Sequence, residues 1–206
     1  MDNKRIVQNG YNAIAARYLT TRTERSEDVR LLDDLIVRLP KGARVLDAGC
    51  GAGVPVTRIL SRHFEVTGVD FAQQQIEMAR QLVPTGEFIC RDIVDLDLPD
   101  EFFDAICSYY AIIHIPRQEH ERLLRGFHRM LKPGGLALLC LGANDIEEEF
   151  EEDYHGSPMY WSHYDAETNL ALLERAGFRI ILSRLVTDST CPTAQHLFVL
   201  ATKEVK

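Results

Sequence analysis

The sequence predicts an α/β fold: a doubly wound, mostly parallel sheet of seven strands in which the last strand runs antiparallel. Three observations lead there. Short apolar runs alternate with helical patterns between residues 44 and 142, the order that builds a parallel sheet with helices on both faces. A glycine-rich turn stands directly behind the first run, where open sheets of this kind bind ligands. The final two runs, 178–186 and 196–202, are joined by about ten turn-like residues around Pro192, too few for a crossover helix, so the last strand returns antiparallel.

Each element has its own signal. Tyr11, Ile14, Ala15, Tyr18 and Leu19 recur at i, i+3, i+4, i+7 and i+8, which predicts an amphipathic N-terminal helix. Ser26 with Glu27 and Asp28 opens a second helix, carried by Val29, Leu32, Ile36 and Leu39 and stopped by Pro40 and Gly42. Arg44 to Asp47 is the first strand. Pro55 suits the first turn of a helix running to about Arg62. Strands follow at Phe64 to Asp70 and Glu87 to Arg91, separated by a helix from Ala72 that Pro84 ends. Phe103 to Ser108 is the fourth strand, and Leu123, Leu124, Phe127 and Leu131 form the apolar stripe of the next helix. Lys132-Pro133-Gly134-Gly135 is a turn before the fully apolar strand Leu136 to Leu141, as expected of a strand buried on both faces. Asp165 caps a last helix that Gly177 closes. The whole reads as one domain, 1–206: a helical cap (1–39), a ligand-binding core (40–142), a candidate lid (143–164), and a C-terminal helix with the strand pair (165–206).

The 206 residues carry 31 acidic and 23 basic side chains, a net charge of −8, with 46% apolar residues. This excludes whole-chain disorder and disfavours a nucleic-acid partner, which needs a basic face. No apolar run approaches the roughly 20 residues of a membrane span, and the polar first eighteen residues make no signal peptide. Five cysteines, without C-x-x-C spacing, are expected to be free thiols, mostly buried, in a reducing cytoplasm. A metal site is not expected, because the acids lack ligand spacing.

Val45-Leu46-Asp47-Ala48-Gly49-Cys50-Gly51-Ala52-Gly53 holds more glycine than a simple turn needs. The glycines miss the G-x-G-x-x-G spacing of dinucleotide loops, and Asp47 would repel a diphosphate but attract a cation or an ammonium group. Asp70 ends the second strand about 20 residues past the loop, where an acid accepts from ribose hydroxyls; it also stands where it would cap the following helix. Asp92 ends the third strand, placed for an adenine amino group.

These motifs, with the F-D-A-I-C-S strand and L-K-P-G-G, resemble class I Rossmann-like S-adenosylmethionine-dependent methyltransferases. More narrowly they resemble the small-molecule group that includes the ubiquinone and menaquinone biosynthesis methyltransferases. The resemblance spans about residues 40 to 142. It implies S-adenosylmethionine as cofactor, bound by Asp47, Ala48, Gly49, Cys50, Gly51 and Gly53 on the methionyl and nucleoside side, with Ser108 close by. It puts Asp70 and Phe71 at the ribose and Asp92 and Ile93 at the adenine. The N-terminal helix would cover the cofactor and bring Tyr18 or Tyr11 to its amino-acid end.

The acceptor side is expected around Ser108-Tyr109-Tyr110-Ala111-Ile112-Ile113-His114. His114 is the candidate general base, or else a residue that shapes the pocket. Tyr11, Tyr110, Trp161 and Tyr164 are candidate acceptor contacts, and the acids of 147–153 read as the solvated face of a helix. The expected partner is a small-molecule acceptor, the missing N-P-P-Y-type tetrapeptide arguing against a DNA base; the oligomeric state is left open. The rival readings are a nicotinamide-dependent oxidoreductase and a non-catalytic cofactor-binding module.

Overall fold

The computed structural model describes residues 2–188, 191 and 193–205; Pro192, expected in the last turn, lies outside them. In chain order the elements are α1 (Asn3–Thr21), α2 (Glu27–Arg30), α3 (Leu32–Ile36), β1 (Arg44–Ala48), α4 (Val56–Leu60), β2 (Glu65–Asp70), α5 (Gln73–Leu82), β3 (Glu87–Cys90), β4 (Phe103–Ser108), α6 (His120–Met130), β5 (Leu131–Gly142), β6 (Ile146–Tyr154), β7 (Ser157–His163), α7 (Ala166–Arg175), β8 (Phe178–Thr187) and β9 (Gln195–Lys203). Seven strands form one sheet in the order β3-β2-β1-β4-β5-β9-β8. All pairings from β3 through β5 are parallel, while β9 is antiparallel to both β5 and β8, as the sequence predicts. The chain winds outward from β1 to β3 and then returns to β4 on the other side of β1. That reversal opens a crevice at the carboxyl ends of β1 and β4.

Alternation along the strands divides the core into two layers. Leu46, Ile106 and Leu139 meet Leu123, Phe127, Leu172 and Leu173 of α6 and α7 on one face. Val45, Ala105, Leu138 and Cys140 meet Leu32, Leu35 and Leu60 of α3 and α4 on the other. The helix expected over 26–39 is two short pieces, α2 and α3. The Lys132-Pro133-Gly134-Gly135 turn is absorbed into β5, which already begins at Leu131; its pairing with β4 slips between Phe103 and Ala105 to accommodate it. Cys50, Cys107 and Cys140 are buried, whereas Cys90 and Cys191 are exposed, Cys90 because β3 is an edge strand.

The largest departure from expectation is the acidic segment. Glu147 to Asp153 is not a helix face but the outer strand of a two-stranded antiparallel hairpin, β6–β7. Strand content is decided here by the partner rather than by the acids' own weak strand propensity. Met159 and Tyr160 of β7 pack under α1 against Val7 and Ile14. β6 then pairs along the outside, with its glutamates in water. A charged outer edge also discourages pairing with a further strand.

The hairpin's return to the sheet is tight. A Cβ at Gly142, the last residue of β5, would lie 2.0 Å from His163 Nδ1 and 2.3 Å from its Cγ. His163 is itself fixed by donating from Nδ1 to the Asn144 carbonyl at 2.8 Å. Gly142→Ala is therefore expected to destabilise the protein by roughly 1–3 kcal/mol through overpacking, measured by urea denaturation; an unchanged midpoint would mean the hairpin base is loose.

Candidate cofactor and acceptor site

The turn behind β1 is built by backbone bonds to its neighbour strand. The N–H groups of Gly49 and Cys50 both donate to the Val69 carbonyl, at 2.7 and 3.0 Å, and Gly53 N–H closes on the Cys50 carbonyl at 2.9 Å. Gly49 has φ +83°, and a Cβ there would stand 2.1 Å from that of Ala111. The loop therefore passes directly under the segment that follows β4, and only glycine allows it.

A buried carboxylate, Asp47, and a half-buried one, Asp70, flank this turn. Asp47 accepts from the Thr57 hydroxyl at 2.5 Å, and Asp70 accepts from the N–H groups of Gly51 and Ala72, both at 2.9 Å. Asp70 thus braces the loop and the start of α5, as a capping residue would, and it also lines the cavity. Burial pushes the Asp47 carboxyl up to about 7, Thr57 opposing and the Asp70 charge adding to the rise. Burial likewise lifts Asp70 to about 6 against the backbone donors that favour its charged form. Two acids that cannot ionise freely for want of a cation fit a ligand that brings positive charge.

The opposite wall is α1. Lys4, Val7, Tyr11, Tyr18, Leu19 and Arg22 share one helical stripe and all line the cavity. Lys4 reaches across to Asp92 at 2.9 Å and Glu119 at 2.8 Å, Gln8 donates to the Phe71 carbonyl at 2.7 Å, and Asn12 accepts from Gln74 N–H at 3.0 Å. Tyr11 meets His114, with 2.9 Å between the phenol oxygen and Nε2. His114 Nδ1 lies 2.7 Å from the Tyr160 carbonyl. A carbonyl can only accept, so Nδ1 carries the proton, Nε2 carries the lone pair, and Tyr11 donates to it. Burial holds His114 down at about 4, so the ring is neutral near pH 7, and burial raises the Tyr11 phenol well above its usual range.

Most of the residues expected at the site meet here: Asp47, Gly49, Cys50, Gly51, Asp70, Phe71, Asp92, Ile93, Tyr11, Tyr18, Tyr110 and His114 line one cavity. Others stand behind it. Ala48 is inside the sheet, and its carbonyl accepts from the Ser108 hydroxyl at 2.7 Å, so Ser108 ties β4 to β1 rather than facing the cavity. Gly53 completes the turn. Trp161 packs its ring 5.4 Å from that of His114 and so backs the histidine. Tyr164 lies under the Arg117 guanidinium, off the cavity wall. Lys4, Arg22 and Gln75 were not foreseen. For Lys4 and Arg22 a signal existed: they stand seven residues before Tyr11 and four after Tyr18, on the same helical face.

Residues 45–135 match the family model described as a methyltransferase domain. A 2-methyl-6-phytyl-1,4-hydroquinone methyltransferase from Synechocystis is 37% identical over 61% of this chain, a match that covers 42% of that protein. An S-adenosyl-L-methionine-dependent Diels-Alderase of Talaromyces variabilis, iccD, is 28% identical over 79% of this chain and 62% of its own length. The chain thus spans roughly half the length of these relatives. Among solved structures, the [4+2]-cyclase SpnF superposes with a TM-score of 0.74 at 21% identity, over 97% of this chain and 95% of its own. A Burkholderia thailandensis 1,6-didemethyltoxoflavin-N1-methyltransferase, solved with S-adenosylhomocysteine, gives 0.67 at 19% identity, over 97% and 91%. Residues 45–135 thus match a methyltransferase domain, in a chain whose fold is that of the solved class I, Rossmann-like S-adenosylmethionine-dependent methyltransferases.

Two expectations follow. Because desolvation raises Asp47 to about 7 and Asp70 to about 6, a cationic cofactor must displace protons from them near neutrality. The affinity for S-adenosylmethionine should then rise roughly tenfold between pH 6 and pH 7.5 and level off above, with proton release seen by calorimetry in buffers of different ionisation enthalpy. A flat profile would show both acids ionised beforehand. Separately, Asp70→Ala should weaken S-adenosylhomocysteine binding by roughly 1.5–3 kcal/mol in a folded protein, and Asp70→Asn by less. Unchanged binding would reduce Asp70 to a brace.

Proposed function

We propose that the protein is an enzyme that methylates a small molecule bearing an ionisable O–H or N–H group, and that Tyr11 and His114 handle the acceptor's proton. The observation that carries this reading is the Tyr11–His114 hydrogen bond at the wall of the cavity that the glycine loop floors. When bound, S-adenosylmethionine supplies an electrophilic methyl group that a nucleophile takes by in-line displacement. Asp47, Gly49, Cys50 and Gly51 hold the methionyl side, Asp70 and Phe71 the ribose, and Asp92 and Ile93 the adenine. Tyr18 and Tyr110 stand between that end and the acceptor, and Val7, Leu19 and Ile115 make the acceptor wall apolar.

The chain's own part is positioning and proton handling. Holding acceptor and methyl donor in line accounts for up to roughly 7–11 kcal/mol of barrier. Closing α1 over the cavity excludes water, in which an anionic nucleophile and a cation are both stabilised before they react. The Tyr11 oxygen can accept from the acceptor while its own proton moves to His114 Nε2. The Tyr160 carbonyl holds the ring in the tautomer that this requires. The cyclase among the structural relatives shows that the fold alone does not specify the reaction; the Tyr11–His114 pair is what favours transfer.

The acceptor is a free small molecule rather than a nucleic acid. The acidic β6 flanks the start of α1, where Asn3 donates to Glu148 at 3.2 Å, and would repel phosphates. The cytoplasm suits five free thiols, two of them exposed. Among the described residues, no helix is long and apolar enough to cross a membrane.

S-adenosylmethionine and S-adenosylhomocysteine should each raise the melting temperature at saturation, whereas NADH should not. Turnover is then sought with a panel of hydroquinones, phenols and amines. On whichever acceptor reacts, His114→Ala should lower kcat by roughly 10²–10⁴-fold and Tyr11→Phe should lower it as well, with S-adenosylhomocysteine affinity nearly unchanged. The acid limb that His114 contributes should lie near pH 4 rather than at the usual imidazole value. Wild-type kinetics in His114→Ala would remove the pair from the chemistry.

A further inference from the structure

Six aromatic rings from three parts of the chain touch in a closed circuit. Tyr11 meets Tyr18 with ring centroids 5.3 Å apart, Tyr18 meets His155 at 6.3 Å, and His155 meets Tyr154 at 4.6 Å. Tyr154 meets Trp161 at 5.2 Å, Trp161 meets His114 at 5.4 Å, and His114 returns to Tyr11 at 5.3 Å. All but the Trp161–His114 contact are edge to face, the arrangement that ring quadrupoles favour. Tyr11 and Tyr18 come from α1, and Tyr154, His155 and Trp161 from the hairpin. Tyr11, Tyr18 and His114 line the cavity, and the three hairpin rings stand in a second row behind them.

Polar contacts lock the two rows together. Arg17 of α1 donates to the His155 carbonyl, and a Cβ at Gly156 would stand 2.5 Å from Arg17 Nη1, so the hairpin turn is fitted against the helix. On the other side the Tyr160 carbonyl fixes His114 Nδ1 at 2.7 Å. Rings held in this way offer a flat wall with little ordering left to do when a ligand arrives.

Such a wall suits a flat aromatic ring or an ammonium ion. Charge decides between them. The Arg22 guanidinium already stands over Tyr110 at 4.5 Å and near Tyr18 at 5.8 Å, with its side chain 8% exposed, and would repel a second cation at these rings. Asp28 keeps Tyr110 beneath it: its carboxylate accepts from the Tyr110 hydroxyl at 3.1 Å, and its carbonyl accepts from the Tyr109 hydroxyl at 3.0 Å. An aliphatic acceptor gains nothing from the orientation of the rings. We propose that the acceptor is a flat, uncharged aromatic ring carrying a hydroxyl group, seated against Tyr11, Tyr18 and His114, and that Tyr154 is a positioning residue for that wall. The proposal rests on the methyltransferase reading and places the acceptor hydroxyl at the Tyr11 oxygen.

Trp161 is the single tryptophan of the chain and belongs to the circuit, so its emission reports on this wall. Protein saturated with S-adenosylhomocysteine is titrated with para-ethylphenol, with its ring-saturated alcohol and with choline, exciting at the red edge of the indole band where the phenol is transparent. The phenol should change the emission saturably and bind roughly 2- to 12-fold more tightly than the saturated alcohol, the span of one aromatic contact. Choline should give no saturable change. Tyr154→Leu should lose most of the preference for the phenol and Tyr154→Phe should keep it, with S-adenosylhomocysteine affinity equal to wild type in both. Equal binding of phenol and alcohol, saturable binding of choline, or no response to the phenol overturns the proposal. So does a Tyr154→Leu protein that keeps the preference, or a Tyr154→Phe protein that loses it. Should Tyr154→Leu not fold, the order of the three probes on wild type decides. If wild type does not bind S-adenosylhomocysteine, the functional reading itself falls. If it does and the phenol results fail, the aromatic subsite falls alone.

Discussion

The tight passage of the glycine loop beneath the segment after β4 is the constraint on which the site depends. Gly49 must come so close to Ala111 that no side chain fits between them, and Val69 must receive two N–H groups at once to hold it there. This closeness sets where the chain leaves β4, and so places Tyr109, Tyr110 and His114 over the crevice. Asp70 adds the remaining brace through Gly51 and Ala72. The cofactor side and the acceptor side are thus two faces of one backbone crossing, and a shift of the loop would move both.

Charge explains why the cavity is built as it is. Asp47 is buried and Asp70 half-buried, each with donors but without a facing cation, and desolvation raises both carboxyls toward neutrality. Arg22, by contrast, already faces the Asp28 carboxylate at 3.6 Å. The two loop acids are matched by a ligand carrying positive charge. Lys4 shows the contrast at the rim, since it already bridges Asp92 and Glu119. Asp92 also accepts from Val94 N–H at 2.9 Å, so an adenine amino group must share that carboxylate or displace the lysine.

The sheet, its order of elements and the antiparallel return were legible because each rests on local signals: apolar runs, glycine and proline punctuation, and a connection too short for a helix. The loop acids were legible for the same reason, being fixed by position at strand ends. The hairpin was not, because a run of glutamates pairs as a strand only when Met159 and Tyr160 have docked under α1. Ser108 and Trp161 do not line the cavity: Ser108 bonds back to Ala48 and Trp161 packs against His114, which depends on alternation and rotamer rather than on sequence distance. Asp28 belonged to a helix start, and nothing near it in the chain points to the tyrosines 81 and 82 residues further on.

What the site asks of α1 follows from these contacts. The helix supplies one wall of the cavity and the phenol that meets His114, yet polar side chains make most of its contacts across the crevice, with the apolar packing of Val7 and Ile14 concentrated on β7. Partly exposed polar contacts are individually weak, whereas the buried apolar contact is not. The helix is therefore anchored to the hairpin and only pinned to the core. The hairpin in turn is seated by Gly142 against His163 at the end of β5. A ligand that displaced the Lys4 and Gln8 contacts would leave the α1–β7 packing intact, so the Tyr11–His114 geometry depends on how α1 and the hairpin are seated together.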